Sequence, residues 1–227
     1  MELFTQEDGY YALTSLGTAL IFDIIELIIV LFILRVRTSK EDRKSSVISA
    51  RQLVYCSAAL AIGFILSFVK IVHLPWGGSV TLCSMLFITL IGYWYGPRIG
   101  LMAAFAYGLL QFVQGGGSYM LSPLQVCMDY IFAFTALGLA GFFSNKKHGL
   151  VTGYIVAILV RGLFHSIGGY LFWMDYMPED FPKALTFAYP IIYNYAYILL
   201  EGALTVVILL FPAVRNALAR VKETALS

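Results

Sequence analysis

The sequence predicts an all-α integral membrane protein: a six-helix bundle with one extra transmembrane helix at its N-terminus. Three observations carry this. Of the 227 residues, 60% are hydrophobic and only 12% charged, with a mean hydropathy of +0.82. Soluble domains are about half apolar and about a quarter charged, so a water-soluble fold of this chain would lack polar surface to cover itself. The apolar residues fall into repeated runs, several of which reach the ~20 residues a helix needs to cross the hydrocarbon core. Finally, Lys and Arg segregate to alternate loops, as they do in multi-pass membrane proteins.

Hydropathy gives seven spans, at 12–34, 52–74, 80–96, 99–114, 122–143, 149–173 and 187–211. Polar, Gly and Pro clusters separate them: RVRTSKEDRKSS, HLPWGGS, YGPR, QGGGS, SNKKHG and WMDYMPEDFPK. The longest linker, 35–51, sets the first span apart. The chain therefore divides into 1–48, an extra transmembrane helix with a basic linker, and 49–227, a six-helix ligand-binding membrane domain. With the N-terminus outside, twelve of the 15 Lys and Arg fall on the inner side, and only Lys70 and Lys183 on the outer. Every loop agrees, which predicts N-outside and C-inside. The opening MELFTQEDGYY carries acids and no base, the reverse of a signal peptide. Cys56, Cys83 and Cys127 sit in apolar runs without metal spacing and read as packing residues.

Small residues recur every fourth position at Gly100/Ala104/Gly108, Gly149/Gly153/Ala157 and Ala136/Ala140. In lipid this spacing lets helices approach closely. These are packing signals.

A charged side chain inside a bilayer costs about 2.5–3.5 kcal/mol on insertion scales, so each marks a function or a partner. Asp23, Glu26, Asp129, Arg161, His165 and Glu201 qualify, with Asn194 as a neutral companion. Asp129, His165 and Asn194 lie on different spans, yet at about 1.5 Å per residue each falls roughly 10–12 Å below the outer surface. Aromatics surround that level. Tyr130 adjoins Asp129, Trp173 lies above His165, and Tyr189, Tyr193 and Tyr197 flank Asn194 at helical spacing. Tyr107 nears the outer end of its span, and Trp76 and Tyr119 occupy outer loops. A carboxylate with aromatic faces and a few hydrogen bonders suits a flat organic cation. The competing reading of the aromatics is an interfacial belt, and that of His165 a helix–helix hydrogen bond. Arg161 is expected to pair with a buried acid, Glu201 or Asp129. Asp23 and Glu26 are expected to meet a neighbouring helix or another subunit.

The sequence contains no GxxxxGK[ST], GxSxG or HExxH. His73, His148 and His165 fall outside, inside and within the membrane, so they do not form one metal site. The expectation is a non-enzyme without cofactor or metal, with no nucleic-acid partner and with membrane lipid as its solvent. Any energy for transport comes from a partner.

The stretch LPWGGSVTLCSMLFITLIGYWYGPRIGLMAAFAYGLLQFVQGG, followed by SYMLSPLQVCMDYIFAFTALGLAGFF, RGLFHSIGGYLFW and AYPIIYNYAY, resembles the thiamine-specific S components of energy-coupling-factor (ECF) transporters, the ThiT/YuaJ type. The resemblance covers about residues 50–212. It implies a six-helix fold in the bacterial cell membrane with a thiamine pocket near the outer face. Asp129 takes the place of the acid near the thiazolium and Tyr130 its adjoining tyrosine. His165 and Asn194 face the aminopyrimidine, and Trp173, Tyr119, Tyr189, Tyr107 and the loop residue Trp76 supply aromatic faces. The implied partners are an EcfT-like scaffold and two EcfA-like ATP-binding subunits. Segment 1–48 exceeds the family's six-helix unit. The small-residue docking face is blurred between Ser57/Ala61 and Ala59/Gly63. The function so implied is capture of thiamine from outside for ATP-driven uptake. The rivals are another flat vitamin or a thiamine precursor, an autonomous carrier, and an intramembrane enzyme.

Overall fold

The structure is a computed structural model that describes residues 4–7, 10–14, 17, 20, 48–115, 117 and 119–227. Most of the expected first span, with Asp23, Glu26 and the basic linker, lies outside the described residues. Where that span was expected to begin, Ala12 and Leu13 belong instead to strand β2 (Tyr10–Leu13), antiparallel to β1 (Phe4–Glu7).

Helix α1 (Ala50–Phe68) starts at a capping box. Ser49 accepts from the Gln52 amide and the Gln52 side chain accepts from Ser49, satisfying otherwise orphaned N–H groups. The span expected to run on to residue 74 stops at Phe68, because Val69 turns extended. The β-branched run that follows pairs as a hairpin, β3 (Lys70–His73) with β4 (Ser79–Thr81), closed by Gly77 and Gly78 at φ +101° and +74°. Only glycine adopts those angles without strain.

Next comes α2 (Ser84–Tyr95), shorter than the expected span 80–96. It is the centre of the core: Met85, Ile88, Leu90 and Ile91 are at most 1% exposed. Helix α3 (Pro97–Gly115) follows directly. Three long apolar helices complete the bundle: α4 (Pro123–Phe143), α5 (Gly149–Tyr176) and α6 (Lys183–Leu210). With α1 they are the four described helices long and apolar enough to span a membrane. A seventh helix, α7 (Pro212–Leu226), was not foreseen. It begins where Phe211 breaks α6 and Pro212 restarts the helix at its first turn.

The small-residue spacing does what lipid packing requires. A Cβ on Gly108 would stand 2.6 Å from the Tyr130 carbonyl, and one on Gly153 would stand 3.0 Å from that of Ala140. Backbones therefore touch where α3 and α5 cross α4, and dispersion contacts replace the absent hydrophobic drive.

Candidate functional site

Asp129 sits where α4 departs from regular geometry. The helix is capped by Ser122, whose hydroxyl accepts from the Gln125 amide, and it widens into a π turn over Cys127–Phe132. Such bulges re-aim side chains and gather at functional positions. A second π turn, Gly169–Trp173, lies on α5 and aims Trp173 at the same place. Asp129 Oδ2 accepts from Gln125 Nε2 at 2.7 Å and from Trp173 Nε1 at 2.8 Å. Its Oδ1 lies 3.7 Å from His165 Nδ1. Gly168 makes this possible, since a Cβ there would stand 2.7 Å from Oδ1.

Asn194 Nδ2 donates to the Pro190 carbonyl at 2.8 Å and to the His165 carbonyl at 3.2 Å, and Tyr197 Oη donates to its Oδ1 at 3.1 Å. One amide hydrogen is thus used within α6 and the other ties α6 to α5, and one acceptor lone pair remains. His165 Nε2 is buried without a hydrogen-bond partner. With a proton on Nδ1 toward the carboxylate, Nε2 is a lone pair awaiting a donor.

From His165 a file of rings runs to the hairpin. His165 meets Tyr197 edge-on at 6.4 Å, Tyr197 meets Tyr193 at 5.9 Å, and Tyr193 stacks on Tyr189 at 5.6 Å. Tyr189 then meets Phe181 at 4.9 Å, and Phe181 meets Trp76 at 4.8 Å. Such pairs each contribute about 0.5–1.5 kcal/mol beyond their buried area. The hairpin lies against this file. Gly77 approaches Tyr193, and Gly78 is so close to Tyr197 that a Cβ would enter its ring.

A cleft of about 530 Å³ opens beside the cluster, with Tyr130, Phe134 and Tyr197 as one wall and Lys70 and Arg161 among its cations. Asp129 and His165 lie behind that aromatic wall, where Phe134 meets His165 at 6.0 Å. Asp129, His165, Asn194 and Trp173 are thus brought together, but of the predicted ligand contacts Tyr130 alone lines the cleft. Arg161 corrects an expectation. It pairs with neither acid: its guanidinium lies 4.4 Å from the Phe134 ring centroid, Nη1 is 2.6 Å from the Met85 sulfur, and Nε has no partner. Glu201 is occupied elsewhere. Its carboxylate accepts from Thr81 N and Oγ1, Ser84 Oγ and Met85 N, at 2.6–3.2 Å. It caps α2 from across the bundle and holds β4 in place, a favourable position for a negative charge.

Of the remaining predicted residues, Tyr107 is 1% exposed, packs on Phe134 and donates to the Gly63 carbonyl at 3.3 Å, which places it in the core. Tyr119 is 56% exposed in the α3–α4 loop. Trp76 is half-buried at the hairpin tip. Sequence reasoning missed Gln125, 1% exposed and one turn before Asp129, though a glutamine in an apolar helix at that spacing was a readable signal. The approaches of Gly77 and Gly168 had no such signal, because they depend on two elements meeting.

These features define a class: a polytopic helical membrane domain with a carboxylate–imidazole–indole cluster beneath an aromatic file. Comparison with known proteins supplies the family. Residues 53–220 match the family model described as thiamine transporter protein (Thia_YuaJ), and the chain belongs to that family. It is 31% identical over 137 residues to the "Thiamine transporter ThiT" of Bacillus subtilis (strain 168), covering 55% of this chain and 69% of that one. It is 33% identical over 122 residues to the protein of the same name from Lacticaseibacillus paracasei, covering 47% of this chain and 59% of its relative, a little under two thirds. Its fold resembles that of ThiT from Listeria monocytogenes, with a TM-score of 0.55, 24% identity, and coverage of 70% of this chain and 92% of that one. It also resembles the S component of a bacterial ECF transporter, with a TM-score of 0.51, 23% identity, and coverage of 74% and 96%. At these identities the structural likeness is one of fold. The family is one of transporters, not enzymes.

Proposed function

We propose that this chain is the substrate-binding S component of an ECF-type importer and captures thiamine from the outer side of a bacterial cell membrane. The observation that carries this is Asp129: a buried carboxylate whose Oδ2 takes two close donors while its Oδ1 faces the His165 ring at 3.7 Å, beyond hydrogen-bond distance, behind a wall of aromatic rings. Gln125 and Trp173 are neutral donors, so they leave the buried negative charge without a permanent cation, and a thiazolium ring supplies one as a flat, weakly hydrated cation that also stacks on Tyr130 and Trp173. His165 Nε2, without a donor, accepts from the exocyclic amine of the pyrimidine. Asn194 holds the His165 backbone and offers its remaining Oδ1 lone pair. Tyr189 and Trp76 belong to the ring file that covers the site, Tyr119 guards its entrance, and Tyr107 supports Phe134 from below. The hairpin is the cover: its glycines lie on the file, so lifting it exposes the rings.

No nucleotide motif occurs in the sequence, so the energy comes from an EcfT-like scaffold and two EcfA-like ATP-binding subunits. The six helices α1–α6, with α7 appended, make up the vitamin-binding domain from residue 49 onward, with the N-terminus outside and the C-terminus inside.

The test is uptake of labelled thiamine by cells lacking their own transporter. The chain with scaffold and ATPases should accumulate thiamine, and a variant ATPase without catalysis should abolish that. Accumulation by the chain alone would make it an autonomous carrier and overturn the reading.

A further inference from the structure

Helix α7 is amphipathic and folds back under the bundle. Val214 and Leu218 pack on the core and Ala225 is 3% exposed, while Arg215, Asn216 and Arg220 are exposed. Its far end is tied down: Tyr95 Oη donates to the Ala225 carbonyl at 3.2 Å, and Arg51 Nη1 donates to Ser227 Oγ at 2.8 Å. Between α7, the end of α2 and the start of α5 this leaves a groove of about 350 Å³.

The groove has two chemistries. Leu150, Leu209 and Leu210 form an apolar side, while His148, Arg215 and Lys222 bring cationic and imidazole groups to it, with no acid among its lining residues. Lys222 is held in position with Nζ 4.0 Å from the Tyr93 ring centroid, which leaves its N–H donors available. Lys146 and Lys147 stand exposed immediately before His148. Among the described residues no Lys or Arg has a carboxylate within ion-pair distance, the recorded pair being His165–Asp129. The site sits where a span ends: Leu210 is 64% and Phe211 58% exposed. Apolar side chains that face lipid therefore meet uncompensated cations at the level of the headgroups.

We propose that this groove binds an anionic phospholipid, with its phosphate between Arg215 and Lys222 and an acyl chain along Leu150 and Leu210. Charge complementarity selects the headgroup. A zwitterionic lipid brings a cationic group for which the groove has no acid, whereas a net negative lipid answers the local field. The apolar side distinguishes a lipid from a free anion, which would leave Leu150 and Leu210 uncovered. This site is separate from the vitamin-binding cluster and does not depend on that reading.

The experiment is native mass spectrometry of the full chain from mixed micelles holding equal phosphatidylglycerol and phosphatidylcholine. Wild type should retain phosphatidylglycerol in preference, and Arg215→Gln with Lys222→Gln should lower that preference by roughly fivefold for each cation removed. Arg220→Gln, on α7 but outside the groove, should leave it unchanged. Circular dichroism and size exclusion establish that each variant is folded. Three results would overturn the proposal: no headgroup preference in wild type, an equal loss in Arg220→Gln, which means diffuse surface charge, or displacement of the lipid by inorganic phosphate, which means a free-anion site.

Discussion

At the scale of single residues, the carboxylate of Asp129 is divided between its two oxygens. Oδ2 is held by Gln125 and Trp173, which fixes the orientation, and Oδ1 faces His165 across 3.7 Å. That division makes Gly168 a sensitive position. Gly168→Ala would place a methyl 2.7 Å from Oδ1, displacing the charge while raising helix propensity. Thiamine affinity should fall at least about tenfold, or about 1.4 kcal/mol, with little change in the melting curve. Unchanged affinity would mean Oδ1 does not face the ligand. The sequence alone placed Asp129, His165 and Asn194 at one depth, because helical rise converts spacing into height. It misassigned Arg161, since neither the capture of Glu201 by α2 nor the Phe134 ring beneath the guanidinium follows from spacing along one chain.

At the scale of elements, the hairpin and α2 form one unit through Glu201. Glu201→Gln replaces a charged acceptor facing four donors by an amide that can satisfy only some of them. Charge-assisted hydrogen bonds of this kind contribute about 1.5–3 kcal/mol each. The variant should melt several degrees lower, and an unaltered melting temperature would show that the clamp is weak. Gly78→Ala tests the cover: φ is +74° and the added Cβ meets Tyr197. The hairpin should be pushed off the ring file at a strain cost of about 1–3 kcal/mol. Faster thiamine release should follow, read by stopped-flow fluorescence; an unchanged off-rate would remove the hairpin from the binding account. Hydropathy could not see this hairpin. Val69, Ile71 and Val72 are as apolar as a helix needs, and only β-branching and the downstream glycines hinted at a strand. The π turns at Asp129 and Trp173 were equally hidden, because hydrophobic periodicity does not register one extra residue in a turn.

At the scale of the molecule, composition and span periodicity specified a helical membrane bundle, because long continuous apolar runs satisfy their backbone in lipid as helices, whereas barrel strands are shorter and alternate. They overstated α2, whose apolarity reflects burial within protein rather than exposure to lipid, and they ended at α6, because α7 alternates polar and apolar residues. Charge bias predicts the orientation. A membrane-impermeant maleimide should label a cysteine placed at Lys183 in intact cells and spare one at Lys147 until the cells are opened; the reverse pattern would invert the topology.

The central claim is that Asp129 holds a cationic vitamin ring. The most direct measurement titrates the detergent-purified chain with thiamine, following tryptophan fluorescence, beside Asp129→Asn. The variant keeps an acceptor for Trp173 and Gln125 but removes the charge. Wild type should bind tightly and the variant should lose at least about a hundredfold, the scale of a buried charge pair losing one partner, while a neutral pyrimidine fragment should bind both equally. Equal thiamine binding by the two folded proteins would contradict the account.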